Sequence, residues 1–525
     1  MNKSLLGISL LVGVTNVSVA SDKTRPNVII ILSDDTGYSD LNCMGGEACT
    51  PNLDALAKEG ILFTNCFNNA KSAPTRASLM TGLYNQRVQA YHAAGTIGTG
   101  GSICMAELFQ RNGYATICSG KWHINPKPTD VGFEHHYGVD VMPTYYKPFN
   151  DAVKIDLDGK DVSIPESFYS VVDYTDYAME QIKNESIDKQ RPFFLYLAYH
   201  NVHWPLQAKE ETIEKYRGIY DEGSGVARKK RFCRMVDKGI IDSSVFKLCN
   251  WNKGSISWEN LNEQERNAMK ERMPIHAASL DEMDFQIGRL LEFLKENELY
   301  DDTAIFFLQD NGASGEGGEF GDEFKPLNYG ISCQGKAGTR ESYYRLGRHA
   351  ATVFNTPLRY YKSTLYNGGC QTPLIVHWPR GIENAGVIDR TNIFISDIAA
   401  TCYDIAGIEY PEIFDEENLF PLDGDSFSCI FNGGRLSGDR VYCWKYEGSC
   451  SVVYGSWKAV GRCDKASFST YGWELYDLGK DGSETVDQSL SKSDILEYMV
   501  DIWDRWSKDV VLEKEMFSMK TKNNK

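Results

Sequence analysis

Apolar runs of strand length recur along the first 380 residues, and each stops at a polar cluster. Asn27-Val28-Ile29-Ile30-Ile31-Leu32 is uninterrupted and ends in Ser33-Asp34-Asp35. Residues 193–199 and 303–308 are built the same way, 115–118 is a weaker run, and 373–378 continues the series. Residues 51–59 and 73–83 suit short helices, while 170–187 and 265–298 carry helical spacing between the apolar runs. Strands apolar throughout and separated by helices predict an α/β fold, a large and mostly parallel sheet sandwiched by helices.

The pattern changes near the end of the chain. Residues 441–460 are β-rich and punctuated by Gly448 and Gly455, and 473–478 reads as a further strand. Residues 494–507 form a helix with Ile495, Met499, Ile502 and Trp503 on one side. A catalytic domain over 21–433 is therefore expected, followed over 434–525 by a smaller α+β subdomain built on an antiparallel sheet. The run Arg228-Lys229-Lys230-Arg231 is expected to be a solvated helix face.

The start of the chain reads as an export signal, with Lys3, an apolar stretch over 5–14 and the small residues Ser18-Val19-Ala20. Cleavage after Ala20 and a periplasmic or extracellular location are expected. No later segment offers 18 uninterrupted apolar residues, so no membrane span is expected. The 14 cysteines are scattered without a C-x-x-C. Cys43/Cys49 and Cys443/Cys450 are close enough in sequence to bridge, and buried free thiols are the equal alternative.

The 525 residues carry 55 Lys+Arg against 72 Asp+Glu, a formal charge of −17. That balance disfavours a nucleic-acid binder, which needs cations to neutralise phosphates. It also works against any anionic substrate at long range, unless counter-charge is gathered locally.

In doubly wound sheets, sites form beyond the carboxyl ends of the strands. Those ends here read Asp34-Asp35, His200-Asn201-Val202-His203 and Gln309-Asp310-Asn311-Gly312. Asp34, Asp35, Asp310 and Asn311 offer only oxygen, which suits Ca²⁺ or Mg²⁺ more than Zn²⁺. In Ser72-Ala73-Pro74-Thr75-Arg76, Pro74 suits an early helical position and puts Ser72 at the helix start. Arg76 lies four residues on and shares its face, a setting that favours an oxyanion at Ser72.

Ser72 to Gly82 resembles the nucleophile motif of the type I, formylglycine-dependent sulfatases of the alkaline phosphatase superfamily, near the arylsulfatases. The strings Arg25-Pro26-Asn27-Val28, Asp34-Asp35-Thr36-Gly37, Thr50-Pro51-Asn52-Leu53-Asp54 and Gly120-Lys121-Trp122-His123 are similar to that family too. So are Gly132-Phe133-Glu134-His135-His136-Tyr137-Gly138, Asp310-Asn311-Gly312, Asn355-Thr356-Pro357 with Lys362, and Trp473 to Leu478 with Ser483-Glu484-Thr485. The matches run in order over about residues 25–487.

The resemblance implies that Ser72 is oxidised to formylglycine, whose hydrate attacks the sulfur of a sulfate ester. The second hydroxyl of the hydrate then releases the sulfate, which an unmodified serine cannot do. It implies one Ca²⁺ held by Asp34, Asp35, Asp310, Asn311 and the oxygen of residue 72. Arg76 would hold nucleophile and carboxylates, and Lys121, His123, His203 and Lys362 would surround the sulfate and leaving oxygens. His203 and Lys362 are expected at the leaving oxygen, and His123 at the release step. The other histidines, His92, His200, His276, His349 and His377, default to structural roles, though His349 also falls in the candidate substrate stretch below.

Serine in place of cysteine at the nucleophile implies an anaerobic-type maturation enzyme and a bacterial source. Asn367 stands before Gly368-Gly369 where an acidic residue is common in the family. The Gly-rich stretch 315–352 can wall the pocket, which makes Arg345, Arg348 and His349, with Trp204 beside His203, the candidate substrate contacts. A sulfated carbohydrate or a small sulfate ester is the expected substrate. The alternatives are a phosphonate monoester or phosphodiester hydrolase of the superfamily, and an inactive glycan-binding relative with unmodified Ser72. Removing residues 1–20 leaves −18, so a small positive pocket in a negative shell is expected.

Overall fold

A computed structural model describes residues 25–523, apart from 89, 91–95, 99, 140–144, 149–152, 249–257, 324–334, 439 and 465–467. The export signal and His92 lie outside the described residues.

An 11-stranded sheet forms the centre. Asn27–Ser33 lies between Thr303–Gln309 and Phe193–Ala198 and is parallel to both, and Ala115–Gly120 and His135–Gly138 extend the parallel run. Successive side chains of a strand point to opposite faces. Ile29 and Ile31 accordingly enter one core with Met273, Leu280 and Leu290 of the long helix Glu263–Glu296. Val28, Ile30 and Leu32 enter the other, with Leu79 and Met80 of the helix Ser72–Thr81 and Ile398 of Asp397–Ala406. Both faces are covered, which is why these strands read as unbroken apolar runs.

The sheet is mixed, not simply parallel. Gln371–His377 runs antiparallel to both its neighbours, Thr303–Gln309 and Ile61–Phe67. An apolar run has no direction, so the reversal is invisible in the sequence. Its effect is to bring the start of this strand, and the residues before it, to the edge where the parallel strands end. The strand Ile61–Phe67 leaves no unbroken apolar run in the sequence, because Thr64 and Asn65 interrupt it at the place where its register shifts.

A separate antiparallel sheet of four strands spans Val441–Tyr446, Ser449–Tyr454, Trp457–Cys463 and Thr470–Asp477. Alternation again divides it. Tyr442, Trp444 and Tyr446 pack into the second core of the large sheet, while Cys443, Cys450 and Leu475 face Met499 and Trp503 of the helix Ser493–Asn523. A fully buried ion pair joins the small sheet to the turn before Gln371–His377: Lys458 Nζ lies 2.9 Å from Glu484, whose carboxylate also accepts the backbone N–H of Asn367 at 2.7 Å. Asn367 is thus a neutral residue already served by a carboxylate from elsewhere.

The twelve described cysteines are not joined in disulfides. No helix among the described residues is long and apolar enough to cross a membrane. The basic run corrects the sequence reading. Lys229 and Lys230 are exposed, but Arg231 is 1% exposed. It reaches Asp40 at 2.8 Å and Glu47 at 2.5 Å, partners distant in sequence that a local charge pattern does not reveal.

Candidate active site

The carboxyl ends of the parallel strands and the start of Gln371–His377 share one edge, and backbone bonds knit the loops there. Asp34 N–H donates to Asn201 O, Val202 N–H to Asp34 O, Asp310 N–H to Ser33 O and Lys121 N–H to Ala198 O. Lys362 N–H donates to Ala313 O and Ser363 N–H to Ala70 O, which joins the Lys362 loop to the turn before Ser72. Gly312 permits part of this closeness. A Cβ there would sit 1.8 Å from the carbonyl oxygen of Gly368, so only glycine fits.

Ser72 opens its helix and is 1% exposed. Arg76 Nε donates to Ser72 Oγ at 2.9 Å, and one face of the helix carries both, as the spacing predicts. The rest of the guanidinium is shared out. One terminal nitrogen donates to Lys121 O at 2.7 Å and the Tyr196 hydroxyl at 3.0 Å; the other donates to Asp310 Oδ2 at 3.0 Å and lies 3.7 Å from Asp34. His123 Nδ1 stands 3.2 Å from Ser72 Oγ. Lys121 Nζ pairs with Asp34, and Lys362 Nζ lies 2.6 Å from Asp35 Oδ1. His203 Nε2 is 3.6 Å from Asp35 Oδ2, its backbone held by the Tyr145 hydroxyl, which donates to His203 O at 2.9 Å.

The protein's own charges set the protonation pattern. Burial alone would raise the Asp34 carboxyl, but Lys121, His203 and Arg76 outweigh it and hold Asp34 well below the usual range. Asp310 goes the other way, to about 6, because burial and the Asp34 carboxylate exceed the pull of Arg76 and Lys121. Burial, with Lys121 and Arg76 alongside, drives the His123 imidazole well down and keeps it neutral. His203 is also lowered, by burial with Lys362 beside it, against Asp35. Lys362 moves up despite its burial, because Asp35 and Glu316 stabilise the ammonium.

The buried oxygens at this edge with no hydrogen-bond partner include Asp34 Oδ1, Asp35 Oδ2 and Asn311 Oδ1. Buried polar atoms are nearly always satisfied, and this donor set is hard oxygen. Asp34, Asp35 and His203 also offer ligand atoms within 4.8 Å of one another. The residues present therefore fit a hard divalent cation.

The other candidate substrate contacts touch groups outside the Ser72 cluster or face solvent. Arg345 forks onto Asp322, with Nε to Oδ1 at 2.6 Å, and its charge also faces Glu316. His349 Nε2 bonds the Ser224 hydroxyl at 2.6 Å and its ring packs on Phe320. Arg348 is exposed at the start of the helix Arg348–Phe354. Trp204 does join the ring around Ser72, through its indole N–H to Glu316. Glu316, Lys71 and Tyr196 are members that sequence reasoning missed. Glu316 follows the Asp310-Asn311-Gly312 string by four residues and Lys71 precedes Ser72, but single charges so placed look like surface.

A family model described as Sulfatase matches residues 26–408 of the chain. The chain belongs to the sulfatase family. It is a sulfuric ester hydrolase of the alkaline phosphatase superfamily. The enzyme is 33% identical to an arylsulfatase of Klebsiella aerogenes over 82% of this chain and 97% of that one. It is 24% identical to an N-acetylgalactosamine-6-O-sulfatase of Bacteroides thetaiotaomicron, over 91% of this chain and 90% of the other. Its fold matches that of Ps i-CgsB, solved in complex with k-i-k-neocarrahexaose, with a TM-score of 0.67 and 23% identity over 94% and 98% of the two chains. In this sulfatase the mixed sheet and the small antiparallel sheet follow the family's architecture, with the Ser72 cluster at the sheet edge between matched strings.

Proposed function

We propose that the enzyme hydrolyses a sulfate ester carried by a carbohydrate, using formylglycine formed from Ser72 and a Ca²⁺ ion. Asp34, Asp35, Asp310, Asn311 and the oxygen of residue 72 would hold the ion. The observation that carries this reading is the meeting of Ser72 Oγ, Arg76 and His123 beside buried, unpartnered metal-type oxygens. Hydrated formylglycine supplies two hydroxyls on one carbon, so that sulfate can be taken up and released, and the cation offsets charge on the sulfate.

The chain's own residues do the rest. Arg76 holds the oxygen of residue 72 and the Asp310 carboxylate through one guanidinium. His123, held neutral, accepts a proton at Nδ1 from residue 72. Lys121 faces the sulfate oxygens. Lys362, kept protonated by Asp35, and His203 stabilise the leaving alkoxide and return its proton.

The name of the N-acetylgalactosamine-6-O-sulfatase relative supports a sugar sulfate as the substrate class. Residues 1–20 are read as an export signal cleaved after Ala20, with periplasmic or extracellular action. An anaerobic-type maturation enzyme would modify Ser72 before export. Assays of enzyme from its native host on sulfate esters and phosphodiesters test the reading. Turnover of sulfated sugars or aryl sulfates is expected, and cleavage of phosphodiesters with no sulfate ester turned over contradicts it.

A further inference from the structure

The carboxylates already described sit at the bottom of the site, where Asp34, Asp35 and Asp310 are fully buried. Glu316 differs. Its side chain is 33% exposed, yet it is built in. Lys71 Nζ lies 3.1 Å from Oε1 and Lys362 Nζ 3.8 Å, and Oε2 accepts the indole N–H of Trp204. Its backbone is pinned as well, since Gly347 N–H donates to Glu316 O at 3.0 Å. Lys362 and Lys71 hold its carboxyl well below the usual range in spite of burial.

These partners place Glu316 across the mouth. Lys71 immediately precedes the nucleophile, Trp204 follows His203, and Lys362 sits on Asp35. Trp204, His123 and Lys71 are the partly exposed members around it. A sulfate bound at Ser72 fills the buried side, so its alcohol must leave past Trp204 and Glu316.

The charges divide into two tiers. At the bottom, Arg76, Lys121 and Lys362 balance Asp34, Asp35 and Asp310, and a divalent cation adds the excess that one sulfate can answer. At the mouth, Glu316 cancels Lys71. Lys71 thus has no spare positive charge to offer a second anion. The mouth offers a carboxylate that accepts from hydroxyls and an indole plane suited to a ring face.

We propose that Glu316 is the residue that sets leaving-group specificity, by neutralising Lys71 and accepting a hydroxyl, so that the substrate is a neutral sugar bearing one sulfate. A second sulfate or a carboxylate on the same ring is rejected. This rests on the sulfatase reading above.

The test compares the parent enzyme with Glu316→Gln and Lys71→Met. The substrates are 4-nitrophenyl sulfate, a panel of monosulfated neutral sugars, and partners of each bearing a second sulfate or a carboxylate. Affinities for the same sugars are measured by calorimetry in the Ser72→Ala background, where nothing turns over. The parent is expected to favour the monosulfated member of each pair by about tenfold or more in kcat/KM and in Kd. Glu316→Gln should remove that preference by exposing the charge of Lys71, and Lys71→Met should sharpen it. The readout is the kcat/KM ratio within each sugar pair; 4-nitrophenyl sulfate, which carries no second anion, reports separately the rate lost when the Glu316 charge beside Lys362 is removed.

A parent that prefers the doubly charged sugars, or accepts no neutral one, overturns the proposal. So does an unchanged ratio in both variants, or an equal fall on all substrates, which marks a purely structural role. Failure of the sulfatase reading looks different: the parent then turns over no sulfate ester, 4-nitrophenyl sulfate included.

Discussion

Arg76 Nε donates to Ser72 Oγ at 2.9 Å while the same guanidinium reaches Asp310 at 3.0 Å. One side chain therefore fixes the distance between the nucleophile position and the carboxylates proposed to hold the metal. Lysine supplies the charge without the fork. Arg76→Lys should lower turnover of an aryl sulfate by about 100- to 1,000-fold with the fold kept, read by kcat and circular dichroism. A variant with near-parent kcat would separate Arg76 from the chemistry.

Chelation should act on stability as well as on rate. Asp34 Oδ1, Asp35 Oδ2 and Asn311 Oδ1 are buried without partners, so a bound cation stabilises the folded state alone. Treating purified enzyme with EGTA should lower both Tm and activity, and Ca²⁺ should restore both better than Zn²⁺ does. An unchanged Tm, with full activity after exhaustive chelation, would contradict the assignment.

Arg231 offers a test remote from the chemistry. It is buried against Asp40 and Glu47, and Asp40 also accepts from His276 at 2.7 Å. Arg231→Ala leaves those carboxylates buried without their cation and should cost about 3–5 kcal/mol. Lys230→Ala on the exposed face should stay within about 0.5 kcal/mol. Denaturant melts of the two variants make the comparison, and equal effects would contradict the buried placement.

A pH effect on stability is expected from His377. Burial, with Lys295 nearby, brings its imidazole down to about 4, against about 6.5 in an unfolded chain. Between those values the unfolded chain binds the extra proton. The contribution is therefore intact above about pH 6.5 and falls away as pH drops toward 4, by about 3 kcal/mol. His377→Gln should flatten this part of the stability profile. An unchanged acid slope would show that the histidine is not the source.

Much of this was legible because the sheet is covered on both faces. Its buried strands leave unbroken apolar runs, and parallel strands leave their functional residues directly after those runs, as at Asp34, His203 and Asp310. The run 371–377 was legible as a strand but not as a reversed one, since direction is set by where the chain returns. Ile61–Phe67 was hidden by Thr64 and Asn65. Arg231, Lys71 and Glu316 were hidden for a shared reason: a charge is readable as buried only through its partners, and theirs lie about 190, 245 and 245 residues away. The paired carboxylate of Glu484 explains a matched string that its sequence alone left without a role.

The central claim is that Ser72 is converted to formylglycine. Mass spectrometry of the peptide spanning Ser72, from enzyme purified out of its native host, tests it directly. The account predicts loss of two hydrogens at that residue, together with turnover of sulfate esters. Intact serine in a preparation that hydrolyses sulfate esters would contradict it.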